Sequence, residues 1–330
     1  MPPPTLLACR LVRRARASWL LTVAAAVVAT PWVLRNGVGE LASIETTATG
    51  AAVAAVYDEA AVFADLARLA SRESATPGRH LGFDTSVYPG DRTMRAWKGA
   101  GVYEWVGYYL PAPCHRDPSW SGKRETLAAM GWGVAVVYVG QQTWDRTPKP
   151  NSPAARLAER AGKRCDTHFV SGPRGRAEAA DAIARTAAEG FARGTVVYLD
   201  VERMERMPRA MRDYYRTWAR ALLADGRYVP GVYVHAHNAA AVHADLVAEY
   251  RAAGLDAEPP MWVASGRGFH RGASPTDVGH SFAGVWQGVL DVVERHGGVS
   301  LPIDVNVASV PSPSDQYASL YAAGEAVTTD

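Results

Sequence analysis

Residues 195–202 read Thr195-Val196-Val197-Tyr198-Leu199-Asp200-Val201-Glu202, an uninterrupted apolar run closed by two acids one residue apart. A strand with one wet face alternates apolar and polar residues. A run without alternation is what a parallel strand covered on both faces requires. Seven other Val- and Tyr-rich runs share this character: 80–86, 103–110, 133–140, 230–237, 261–265, 284–287 and 302–307. Helical patterns separate most of them, at 93–100, 122–130, 176–191, 210–224 and 239–253. Eight strands with five helices predict an α/β fold, a (β/α)8 TIM-like barrel whose later helices are short or missing. A doubly wound open sheet is the alternative. It is weakened because Thr85-Ser86-Val87-Tyr88-Pro89-Gly90, after the first strand, is not a glycine-rich phosphate loop.

In a parallel barrel, chemistry gathers at the carboxyl ends of the strands. Asp84 ends the first run, Asp200 and Glu202 end the fourth, and Asp304 lies in the last. Residues two apart on a strand share a face, so Asp200 and Glu202 point the same way, about 6.6 Å apart along the backbone. Acids inside an apolar strand face either a polar cavity or a compensating cation. Rim carboxylates held by arginines are the plain reading of any one of them. Four at three strand ends, aimed at one mouth, suit cleavage of a glycosidic bond, in which one carboxylic acid protonates the leaving oxygen. A second carboxylate then serves as nucleophile, base or orienter. Glu202 has the longer reach and is the expected general acid, held protonated by its charged neighbours. Asp200 polarises or orients, and Asp84 and Asp304 hold charge around the sugar.

The segments Gly82-Phe83-Asp84-Thr85-Ser86, Tyr198 to Glu202, Met261-Trp262-Val263-Ala264, Val285-Trp286-Gln287 and Ile303-Asp304-Val305-Asn306 occur in an order that resembles glycoside hydrolase family 25, the muramidases. The stretch 81–89, with Trp97 and Gly101, is similar to exported bacterial barrels classed as a glycoside-hydrolase-like domain of unknown function. The resemblance covers 79–309 and implies an incomplete (β/α) barrel with Glu202 as the acid and Asp84, Asp200 and Asp304 as supporting carboxylates. It places Trp262, Trp286 and Gln287 near the sugar. The loops 114–120 and 143–171 depart from the muramidase pattern, so substrate identity does not carry over.

Ten tryptophans and fourteen tyrosines offer faces for stacking on sugars. Tyr108, Tyr138, Trp144, Tyr233, Trp262 and Trp286 lie near strand ends and are candidate groove residues, with Gln287. Trp97, Trp132 and Trp218 read as core. His235-Ala236-His237 puts two imidazoles on one strand face. They could hold a metal in a metal-dependent hydrolase, but a third histidine is lacking, and His235 or His237 reads better as a hydrogen-bonding pocket wall. No cofactor and no metal is expected. Tyr214, Tyr215, Trp218, Leu222 and Leu223 form a helical stripe for packing, with Arg209, Arg212, Arg216 and Arg220 as a solvated face.

The N-terminal residues 1–38 carry Arg10, Arg13, Arg14 and Arg16 before the apolar run 17–34. That is the pattern of a signal peptide or N-terminal membrane anchor. Residues 39–78 read as a linker with a helical piece at 51–71, 79–310 as the barrel, and 311–330 as a peripheral tail. Of the three cysteines, Cys9 falls in the export segment. Cys114 and Cys165 follow strands at one rim and either pair or remain two small apolar side chains. The whole chain of 330 residues has 35 Lys+Arg against 33 Asp+Glu, a net charge of +2. That leaves no basic surplus for nucleic acid. The expected protein is an exported monomer, extracellular, in the cell wall or anchored on the outer membrane face. It acts on a polysaccharide such as peptidoglycan. A barrel that binds glycan without cleaving it fits the same residues.

Overall fold

The structure, a computed structural model, describes residues 78–143 and 165–317. The export segment, the linker helix, Trp144 and residues 318–330 lie outside the described residues. Eight strands close into one barrel in sequence order. They are β1 (His80–Asp84), β2 (Trp105–Tyr109), β3 (Gly133–Tyr138), β4 (Val196–Val201), β5 (Val229–His235), β6 (Met261–Ala264), β7 (Ala283–His296) and β8 (Val299–Ala308). Helices α1 (Asp91–Gly99), α2 (Arg124–Ala129), α3 (Gly172–Ala188), α4 (Arg209–Asp225) and α5 (Ala236–Ala252) follow the first five strands. After β6 only a 3-10 turn at Pro275–Val278 remains, in line with the missing later helices.

One feature corrects the all-parallel reading. β1 to β7 pair in parallel, but β8 runs antiparallel to both β7 and β1. Gly297 and Gly298, at φ 54° and 79°, turn the chain tightly between β7 and β8. A two-residue turn can join only antiparallel strands. β7 therefore does not stop at Gln287. It continues as a ribbon whose inner face packs on α1, with the Trp97 indole donating to the Val299 carbonyl at 3.1 Å.

Alternation sorts the side chains into two layers. Trp105, Tyr198 and Trp262 point into the barrel and meet edge to face, with ring centres 5.6 and 5.7 Å apart. They fill its interior. Val106, Val136, Val197 and Leu199 point outward to the helices, where Trp97, Trp132 and Trp218 are buried as expected. The stripe on α4 packs inward through Tyr214, Tyr215, Trp218 and Leu222. Its arginines are not merely solvated. Arg212 pairs with the buried Asp245, and Arg216 and Arg220 hold the buried Glu249 at 2.7 and 2.8 Å, which staples α4 to α5.

The tail also needs correction, because its first residues are structural. The β3–β4 ladder begins only at Val136 and Val197, and Ser314 fills the gap beneath. The Val196 amide donates to the Ser314 carbonyl (2.8 Å), and the Ser314 amide donates to that of Val134 (2.9 Å). The Ser314 hydroxyl accepts from the Val136 amide and donates to the Val196 carbonyl, both at 2.7 Å. Ser314→Ala leaves a buried amide and a buried carbonyl without this partner. It should cost about 1–3 kcal/mol, measured by urea unfolding. A change within 0.3 kcal/mol of zero would show that the seam does not depend on the hydroxyl.

Candidate active site

At the carboxyl ends of the parallel strands, Asp84, Asp200, Glu202 and Asp304 line one small, open cavity with Tyr109, Val137, Tyr233, Trp262 and Gln287. Asp84 is the last residue of β1, and Asp200 sits on β4 with Glu202 just beyond it. Asp304 reaches the same mouth although β8 is reversed, because it stands directly opposite Asp84 in the β1–β8 register.

Asp84 is the best-held carboxylate. Its Oδ1 accepts from the Tyr109 hydroxyl at 2.7 Å, and its Oδ2 accepts from Gln287 Nε2 at 2.9 Å and Asn306 Nδ2 at 2.8 Å. Two further donors fix which way those amides face. Tyr233 donates to Gln287 Oε1 at 2.6 Å and the Trp262 indole to Asn306 Oδ1 at 3.0 Å, leaving both NH2 groups for Asp84. Gly107 makes room for this arrangement, since a Cβ there would lie 2.6 Å from that of Asp84. Asp304 accepts from the Asp291 amide at 2.7 Å and from Gln287 at 3.3 Å. Asp291 has φ 52° within the second of two irregularities of the β7–β8 register, between Val289 and Val292, which aims its N–H at Asp304. The Asp200 Oδ1 is buried without a hydrogen-bond partner.

All four acids hold their protons above the usual carboxylate range. Burial pushes Asp200 well up, aided by the charges of Glu202 and Asp84. Burial also raises Asp84, against the pull of its Tyr109, Asn306 and Gln287 donors. Asp304 is pushed up to about 7 by burial and then by the charge of Asp84, with the Asp291 amide opposing. Glu202 is raised by burial, not foremost by its charged neighbours as the sequence had suggested, and the Arg203 amide opposes.

Three aromatic candidates lie elsewhere, and strand parity is the reason. Tyr108 points outward and donates to Glu189 at 2.5 Å; its neighbour Tyr109 points in. Tyr138 points outward to Asp181 at 2.9 Å. Trp286 packs outside the barrel against Phe269, its indole donating to the Ser265 carbonyl. His235 is not part of the pocket lining either. It caps α5, its Nδ1 accepting from the His237 amide at 3.1 Å, while His237 Nε2 meets the Glu205 carbonyl. Each imidazole thus has one ring nitrogen engaged with backbone. Among the described residues no group of three or more His, Cys, Asp or Glu side chains could hold a metal ion. Tyr109 and Asn306 went unselected in the sequence. Inward parity, counted from Asp84 and Asp304 across the sheet, was the signal that could have found them.

Cys114 and Cys165 are disulfide-bonded, with Cα atoms 4.8 Å apart. The bond closes a separation of 51 residues. In the chain-entropy picture a loop of that size contributes about 4 kcal/mol.

A family model described as Rv2525c-like, glycoside hydrolase-like domain, matches residues 95–308. That range contains Asp200, Glu202 and Asp304 and begins after Asp84. None of the curated proteins matches the chain. Among solved structures, an uncharacterized protein of B. stearothermophilus aligns with a TM-score of 0.46 at 16% identity, over 69% of this chain and 95% of that one. The spore cortex lytic enzyme SleM of Clostridium perfringens aligns with a TM-score of 0.44 at 12% identity, over 73% and 70%. The Tat-secreted protein Rv2525c of Mycobacterium tuberculosis aligns with a TM-score of 0.40 at 16% identity, over 70% and 95%.

Proposed function

We propose that this chain, which belongs to the Rv2525c-like glycoside hydrolase-like family, hydrolyses a glycosidic bond in a cell-envelope glycan such as peptidoglycan. The observation that carries the reading is the convergence of four carboxyl groups in one barrel-mouth cavity, each inclined to keep its proton. Acid-assisted cleavage needs a carboxylic acid and a carboxylate within reach of one bond at the same pH. A coupled cluster supplies both, because each proton lost makes the next harder to remove. Glu202, outermost on its strand, gives its proton to the leaving oxygen. Asp200 steadies the charge that develops at the anomeric carbon or orients the group that attacks it. Water adds to that carbon and returns a proton to the cluster. Asp84, held by three donors, and Asp304 set the local charge.

Tyr233, Trp262 and Gln287 line the same cavity and serve the sugar directly. Tyr109 belongs with them. The cavity is small and open, so the reacting sugar meets the acids at its mouth and the rest of the polymer lies across the barrel rim. The chain acts outside the cytoplasm. The basic-then-apolar N-terminus and the disulfide, a bond of oxidising compartments, support this.

The test is release of new reducing ends from a panel of cell-wall glycans by the wild-type protein. Turnover on one or more of them is the expected result. Saturable glycan binding with no new ends on any would replace the enzyme with a binding barrel.

A further inference from the structure

We infer that Gln142 is a positioning residue for Glu202, its side-chain amide standing in for the next rung of the β3–β4 ladder. The backbone ladder between these strands ends at Tyr138 and Leu199. In a parallel sheet, one residue donates its N–H to the carbonyl before its partner and accepts from the amide after it. The Gln142 side chain repeats that pattern one step further out. Its Nε2 donates to the Asp200 carbonyl at 2.9 Å, and its Oε1 accepts from the Glu202 amide at 3.2 Å. The main chain from Asp200 to Glu202 thereby stays extended. Both acids keep the same parity, and the Glu202 carboxyl is delivered to the open mouth of the cavity.

Gln142 is 1% exposed, and a buried carboxamide is costly unless its polar atoms are partnered. Here each half of it is spent on β4. Its own carbonyl accepts from the Thr167 hydroxyl at 3.2 Å, two residues beyond the disulfide half Cys165. On the far side of Glu202, the buried Asn238 clamps Met204 in the same two-handed way. Its Oδ1 accepts from the Met204 amide at 3.1 Å and its Nδ2 donates to the Met204 carbonyl at 3.0 Å. Glu202 and Arg203 therefore span the gap between two amide clamps. The requirement at position 142 is specific: one donor and one acceptor at the end of two methylenes. Methionine has the length without the donor or the acceptor, and asparagine has the amide without the length.

This inference rests on the reading of Glu202 as the acid, so its test has one arm that needs no turnover. Gln142→Met keeps the side-chain volume. Hydrogen exchange should show the Glu202 amide exchanging about 5- to 10-fold faster in the variant, the worth of one net hydrogen bond, with the Leu199 amide unchanged. In the kinetic arm kcat should fall by about 100-fold with KM within about 2-fold, as for an acid group misplaced by about 1 Å. Gln142→Asn should show the same pattern and serves if the methionine variant does not fold. Unchanged protection of the Glu202 amide, or a rise in KM with kcat intact, would overturn the positioning role. If the wild type cleaves no glycan, the glycosidase reading falls by itself and the exchange arm still decides the clamp.

Discussion

Glu202→Gln should lower kcat for glycan hydrolysis by about 10²- to 10⁴-fold, the usual contribution of a positioned acid, and leave glycan affinity within about 3-fold. An amide cannot surrender a proton to the leaving oxygen, yet it keeps the size of the carboxyl. The main-chain bond from the Glu202 amide to Gln142 is unaffected. Steady-state rates and calorimetric binding of the same glycan separate the two effects. A variant that hydrolyses at the wild-type rate would remove Glu202 from the acid role. The wild-type rate should also decline on the alkaline side as the cluster loses its last useful proton. Asp200→Asn should move that limb to lower pH, because the pair's last proton is held partly by the charge of its partner and the variant removes that repulsion.

Asp304→Asn should make the fold more stable at alkaline pH relative to the wild type, and less so at acid pH. In the folded protein Asp304 is raised from 3.8 to about 7. The folded state thus binds this proton more tightly than the unfolded chain does. The stability linked to it is fully present below about 4 and is lost as pH rises through 7. Asparagine has no such proton. Comparing pH 4 with pH 8, the variant should gain on the order of 2–4 kcal/mol over the wild type, the upper end being the full shift. Any fixed cost of altered contacts with Gln287 and the Asp291 amide is present at both pH values and cancels. Urea unfolding at the two pH values is the measurement. An equal difference between variant and wild type at both would mean that Asp304 titrates normally.

These expectations depend on features that were unevenly legible in the sequence. The barrel was readable because eight apolar runs must be covered on both faces, and because helical patterns intervene where the crossovers need them. The four acids were readable because charge is costly inside such runs. What failed was single-residue parity. In Trp105-Val106-Gly107-Tyr108-Tyr109 the two tyrosines are chemically equivalent by composition, and a shift of one residue moves a ring from pocket to helix layer. The Gly107–Asp84 contact, which decides the matter, is long-range. The reversal of β8 was signalled locally by Gly297-Gly298, but an expected eightfold repeat masked it. Ser314 carried no signal at all, because its partners are backbone groups 118 and 178 residues away. Gln141-Gln142 lie just past the third apolar run, and nothing local marks them, yet both side chains are buried and bonded.

The central claim is that the barrel mouth hydrolyses the glycan it binds, and incubation of the wild type with cell-wall glycan in ¹⁸O-labelled water tests it most directly. Mass spectrometry should find one ¹⁸O at each newly formed reducing end, because the water that adds at the anomeric carbon comes from solvent. Glycan recovered intact and unlabelled after demonstrated binding would contradict the account, as would fragments that carry no label.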